Sequence, residues 1–256
     1  MRRVLLLFAL AAALSPAARA LAQPPGQTNA NFERARAHYM NGWQHMRAEH
    51  FDQAVSEFQS AIDLNGKYEL AYYGLGRAYL ALHRYSEAVQ SLSTCRELYS
   101  AEASEKFNGQ MDAQRYRQDR LMELQDLKNQ YSKGPGADSQ QARNMTQLID
   151  NQIRLTTDAN NRGLNVAIED PVPSFVSLSL GSAYFRSEKF EEAEAAYKEA
   201  TKADDRAGEA HNNLAVIYLM KADYPQALVE VKAAEKAGFR VNPDLKNEIK
   251  QKMGQD

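Results

Sequence analysis

An aromatic residue followed three positions later by alanine occurs at Phe51/Ala54, Tyr85/Ala88, Phe190/Ala193 and Tyr224/Ala227, and within each half of the chain the motif returns after 34 residues. Other columns keep the same phase. Gly42, Gly76, Gly181 and Ala215 align, as do Leu75, Leu180 and Leu214, then Tyr79, Tyr184 and Tyr218. Phe58, Leu92, Tyr197 and Val231 form a further column, and Ala61, Cys95, Ala200 and Ala234 close the unit. A fixed period constrains the fold more tightly than any local signal. Each unit must be the same supersecondary element, and no unit buries its apolar face until a neighbour stacks on it.

Composition decides which element repeats. Val (10), Ile (6) and Thr (6) are scarce in a chain of 256 residues, so a large sheet lacks the β-branched residues that fit its pleated surface. Gly (13) and Pro (8) are also few, which leaves long stretches free of helix breakers. The unit is therefore read as two helices. The small column at 42, 76, 181 and 215 lets them approach closely, and the alanines at 54, 88, 193 and 227 do so from the second helix. Asp52, Ser86 and Asp223 are expected to cap the second helices, with Pro225 suited to a first turn.

The clearest copies read YYGLGRAYLALHRYSEAVQSL and SLSLGSAYFRSEKFEEAEAAY. In these columns the chain resembles the tetratricopeptide repeat family, whose unit is a 34-residue helix-turn-helix. The resemblance covers residues 35–102 and 174–241. It implies an all-α solenoid of two pairs of units, interrupted by residues 103–173 and ending in a capping helix over 242–256. Residues 23–34 are expected as a polar N-terminal arm.

Residues 1–22 read as an export leader. Arg2-Arg3 precedes the apolar run Val4 to Leu14, followed by a Ser15-Pro16 break and small residues that suit cleavage after Ala20 or Ala22. Eleven apolar residues are too few for a membrane span of roughly 17–25. The expected location is the periplasm or the exterior. The leader holds three arginines and no acid, so the rest of the chain is more negative than the overall formal charge of −2. That balance gives no general electrostatic reason to bind nucleic acid or an anionic membrane. Arg115, Arg117 and Arg120, interrupted by Asp119, read as a solvated helix face. Cys95, the only cysteine, is expected as a buried thiol, the alternative being a disulfide between chains.

Residues 103–173 lack the repeat columns. Their length also suits two eroded units, but the apolar spacing favours a long helical hairpin. Phe107, Met111, Leu121, Leu124, Leu127 and Tyr131 lie mostly three or four apart. Ala142, Met145, Leu148, Ile149 and Ile153 continue the stripe after a Gly134-Pro135-Gly136 turn. Residues 112–120 are almost wholly polar and are expected to project into solvent. The hairpin is either a spacer packed on itself or an arm for a partner or for self-association through 103–160.

No catalytic constellation is found. Gly74-Leu75-Gly76 begins like a dinucleotide fingerprint but lacks its third glycine and lies within a repeat helix. His38, His45 and His50 are spaced poorly for ligands on one helix face, and His38 shares a repeat column with His211, which points to packing. No cofactor or metal is implied, and the chain is not read as an enzyme.

In tetratricopeptide arrays the first helix of each unit lines a concave face. Carried over column by column, the resemblance places Tyr39, Trp43, Met46 and Arg47 there from the first unit, and Tyr73, Arg77 and Leu80 from the second. Leu178, Ser182 and Phe185 follow from the third, and Asn212 and Val216 from the fourth. Trp, Tyr and Arg dominate interface hot spots. The opposing reading is that these residues pack on neighbouring helices or on the inserted hairpin. Family members that hold a partner's C-terminal carboxylates use Lys and Asn on this face, where the first unit has Tyr39 and Trp43. The expected function is an exported, non-catalytic scaffold for a protein or peptide partner with an apolar or aromatic anchor. The alternative is an envelope assembly protein that self-associates through the hairpin.

Overall fold

The 34-residue period emerges as pairs of helices joined by one turn geometry. A computed structural model describes residues 27–104, 110–133, 137–162 and 172–254. The first two units are α1 (Gln27–Arg47) with α2 (Phe51–Leu64) and α3 (Glu69–Ala81) with α4 (Tyr85–Ser104). The intervening segment forms α5 (Gln110–Ser132) and α6 (Gln140–Arg162). Two further units follow, α7 (Ser174–Arg186) with α8 (Phe190–Ala203) and α9 (Gly208–Met220) with α10 (Tyr224–Lys236), and α11 (Pro243–Lys252) ends the array. Among the described residues there are no strands. The leader, Phe107, the Gly134-Pro135-Gly136 turn and residues 163–171 lie outside the described residues.

Each unit is held by a small residue facing a large one. A Cβ on Gly42 would come within 2.6 Å of the Phe58 ring, one on Gly76 within 2.5 Å of Leu92, and one on Gly181 within 2.6 Å of Tyr197. In the fourth unit both columns change together, to Ala215 and the smaller Val231, both buried. A larger residue on the first helix is matched by a smaller one on the second, so the volume filling the space between the two helices changes little.

The turns use a left-handed residue at one repeat position. Glu49, His83, Glu188 and Ala222 have φ of 58°, 58°, 60° and 57°. The amide one residue later donates to the carbonyl five residues before it, as from Asp223 to Tyr218 at 2.9 Å, which satisfies a free helix-end carbonyl. The aromatics at 51, 85, 190 and 224 are thus the first residues of the second helices rather than part of the turn. Asp52 and Ser86 consequently fall inside the first turn and do not cap. Asp223 does, accepting from the Gln226 amide at 3.3 Å. Ala222 is exposed and has no side chain that favours its conformation, so Ala222→Gly is expected to raise stability by up to about 1 kcal/mol, read as a higher urea midpoint. An unchanged or lower midpoint would show that the turn is unstrained.

Two placements differ from the sequence expectation. The polar arm over 27–34 is the first two turns of α1, anchored by Phe32 on the Tyr68 ring at 5.9 Å. The hairpin interrupts the repeats along the chain, as expected, but does not separate the second unit from the third in space. Helix α4 packs directly on α7, and Tyr73 meets Phe175 edge-on at 5.1 Å. The third unit stacks on the second as though the 71 intervening residues were absent. At the C-terminus Asn242 caps α11 by accepting from Asp244, and Ile249 is fully buried against the last unit.

Candidate functional site: the concave face and its occupant

First helices of the four units line one face, and the α5–α6 hairpin lies across it. Helix α5 runs beside α1 and α3. Asp126 accepts from Arg36 at 2.6 Å, Gln130 accepts from Arg47, and the Tyr73 and Tyr131 hydroxyls are hydrogen-bonded at 3.2 Å. Leu124 and Leu127 are fully buried. Helix α6 sits alongside, with Met145 Sδ accepting from the Tyr73 hydroxyl at 3.5 Å. Its Leu148 reaches the start of α9, beside Gly208 and Phe239. The apolar stripes of both hairpin helices thus point into the molecule.

In the polar stretch expected to face solvent, Gln114, Gln118 and Asp119 are exposed, but two arginines are not. Arg117 and Arg120 are only 6% and 7% exposed. Arg120 donates to Glu69 at 3.1 Å, lies 3.5 Å from Glu123, and stacks its guanidinium over the Tyr99 ring at 4.5 Å. Burial pushes the Glu123 carboxyl up to about 8; the Arg120 charge pulls it back and the Glu69 charge adds to the rise. The physical reason for the difference is pairing across distance: Arg120 meets Glu69, 51 residues earlier, so charges that read as a wet surface are neutralised inside.

The twelve residues expected on the concave face divide into three groups. Tyr39, Trp43, Tyr73 and Leu178 are buried. Trp43 in particular sits among Phe58, Tyr39, Tyr73 and Tyr131, with ring centroids 5.5–6.3 Å away. Arg47 is held by Gln130, Phe185 packs edge-on against Phe190 at 5.4 Å, and Asn212 and Val216 are half-buried. Met46, Arg77, Leu80 and Ser182, with one edge of Leu178, line an open cavity of ≈ 380 Å³ at the C-terminal ends of the first helices. Gln141 and Met145 of the hairpin, Arg186 and Glu209 are also part of its wall. Arg77 also rests over the Tyr131 ring at 5.9 Å. Burial raises the Glu209 carboxyl, with Arg77 opposing the rise.

Arg36, Glu69, Arg120, Glu123, Asp126, Gln130 and Tyr131 escaped the sequence reading as members of this site. The only local signal was the Arg120/Glu123 pair on one helix face; their other partners are 51 to 90 residues away. His38 and His211 make equivalent bonds, to Glu57 at 2.8 Å and Glu230 at 2.7 Å, which tie the first helix of a unit to its second. Among the described residues no group of three or more His, Cys, Asp or Glu gathers as a metal site. Among them, too, no helix is long and apolar enough to cross a membrane.

A family model described as tetratricopeptide repeat matches residues 39–102 and 178–238. Among curated proteins, none matches the sequence. Several solved structures are similar. PilW, described as a widely conserved type IV pilus biogenesis factor, is 17% identical over 91% of this chain and 88% of its own, with a TM-score of 0.39. TTC0263, a thermophilic TPR protein in Thermus thermophilus, is 19% identical over 86% of this chain and 98% of its own, with a TM-score of 0.35. YrrB, a TPR protein with an unusual peptide-binding site, is 16% identical over 90% of this chain and 98% of its own, with a TM-score of 0.29.

Proposed function

Because the chain belongs to the tetratricopeptide repeat family, we propose that it is a non-catalytic scaffold holding a protein or peptide partner in the part of its concave face that the hairpin leaves open. The observation that carries this is the cavity of ≈ 380 Å³, with Met46, Leu80 and Leu178 as apolar wall and Arg77 and Ser182 as polar contacts. A few placed polar groups on an apolar wall orient a peptide anchor without excluding variants of it. The order of residues 1–22, two arginines, an apolar run and small residues, supports export to the periplasm or beyond. Self-association through the hairpin is the less supported reading, since Leu124, Leu127, Met145, Leu148 and Ile149 are already buried within the molecule.

The test is capture of partners from an envelope fraction by the mature chain, with Leu80→Asp and Arg186→Glu as comparisons. Leu80→Asp places a charge on the apolar wall and is expected to weaken capture by about 2 kcal/mol. Arg186→Glu changes an exposed rim charge and should alter the salt dependence of capture. Both variants should keep the helicity of the parent. If the same proteins are retained equally by all three chains, the cavity is not the binding surface.

A further inference from the structure

The groove that α5 covers has the makings of a binding surface. The solenoid is continuous without the hairpin, because α4 packs directly on α7. Helix α5 enters the groove as a ligand helix would, with apolar anchors Leu124, Leu127 and Tyr131 at positions i, i+3 and i+7. Beside them the groove presents three guanidinium groups, and α5 meets them unequally. Arg36 pairs with the carboxylate of Asp126 at 2.6 Å, Arg47 with the neutral amide of Gln130, and Arg77 with the Tyr131 ring. Three buried donors, the hydroxyls of Tyr39, Tyr68 and Tyr99, find no acceptor among the surrounding protein groups. A resident that leaves donors unmet, and offers an amide where a carboxylate fits, is held less tightly than the surface allows.

We propose that the groove over α1 and α3 is a second interaction surface, kept closed by α5, and that its partner is an acidic amphipathic helix. That helix carries apolar anchors at i, i+3 and i+7, and carboxylates at i+2 and i+6, the positions of Asp126 and Gln130 in α5. The second carboxylate converts the Arg47 contact from a neutral to a charge-assisted pair, and the partner displaces α5 as it enters. This surface adjoins the open cavity and shares Arg77 with it, whereas Leu80 and Arg186, the positions varied there, are not among the contacts of α5 named above.

The experiment uses the full mature chain and a fluorescein-labelled peptide spanning residues 121–132 with Gln130→Glu, which is net acidic. In the chain, Asp126→Arg sets a cation against Arg36 and weakens the resident helix. The peptide is expected to bind this chain at least tenfold more tightly than the parent, read by anisotropy. The same peptide carrying Asp126→Arg should lose at least tenfold, and adding Arg36→Asp to the variant chain, which re-pairs the resident helix with α1 by the reversed charges, should return the first peptide's binding to the parent level or below. Equal binding by every combination overturns the proposal. So does a doubling of mass in the Asp126→Arg chain, which would make a second copy the occupant. Hydrogen exchange on the parent chain gives an independent reading that does not require the variant to fold. Amides of α5 should exchange at least a hundredfold faster than those of α3, whereas equal protection in the two helices would show that the groove opens only on global unfolding.

Discussion

Replacing Trp43 by alanine is expected to cost about 3–5 kcal/mol of stability. The indole is 4% exposed and lies edge-on to Phe58 at 5.8 Å and to Tyr131 at 5.5 Å, with Tyr39 and Tyr73 each at 6.3 Å. Removing it leaves a cavity where the first unit, the second unit and the hairpin meet, and the surrounding rings cannot all close on it. Four aromatic contacts are lost together with the buried area. Urea unfolding followed by circular dichroism should show the midpoint falling sharply. The outcome separates two roles for the same residue. A partner-facing tryptophan at the centre of an interface would lose binding on truncation with the midpoint nearly unchanged, and that result would mean the groove is open in solution.

Stability should also fall as pH rises through neutrality, and Glu123→Gln should remove that part of the dependence. Glu123 is buried beside Arg120, which already pairs with Glu69, so a second negative charge there is poorly compensated. Its carboxyl is pushed from 4.5 up to about 8, chiefly by burial. The raised value means that folding holds a proton on this group. Its contribution is fully present below pH 4.5, is lost as pH rises, and is gone above about 8. The glutamine variant keeps the shape and the neutral state at every pH. At pH 9 it should be more stable than the parent by a few kcal/mol, since each tenfold change in proton affinity on folding is worth about 1.4 kcal/mol. At pH 5 the two should unfold at similar urea concentrations. Parallel profiles across the whole range would place the Glu123 carboxyl in contact with water. Asp204 and Glu209 are also raised by burial and act in the same direction, so the informative quantity is the difference between the two chains.

The repeat architecture was legible because it is written in residue sizes. Gly42 against Phe58 and Gly181 against Tyr197 are contacts between helices of one unit, 16 residues apart, and recur with the period. The cap of Asp223 was legible for the same reason, since its acceptor and donor are three residues apart. Arg117 and Arg120 were misread because charge on a helix face means solvent only when no opposite charge is folded against it. The start of α1 at Gln27 was missed because its polar residues give little helical signal apart from Phe32, whose partner Tyr68 belongs to the next unit's entry.

By itself the sequence determined the local unit, its number of clear copies and the small-to-large packing inside each, because all of these rest on contacts shorter than one period. It determined too that the insert carries two apolar stripes able to pair as helices. Only the tertiary structure decided where those stripes go. The hairpin leaves the second and third units stacked and lies in the solenoid's concave face, so Tyr39, Trp43 and Tyr73 support an internal contact while Met46, Leu80 and Ser182 remain at an open cavity. The physical reason is that this contact depends on pairs such as Arg36 with Asp126, 90 residues apart, and no periodicity of one chain records which of its surfaces will meet.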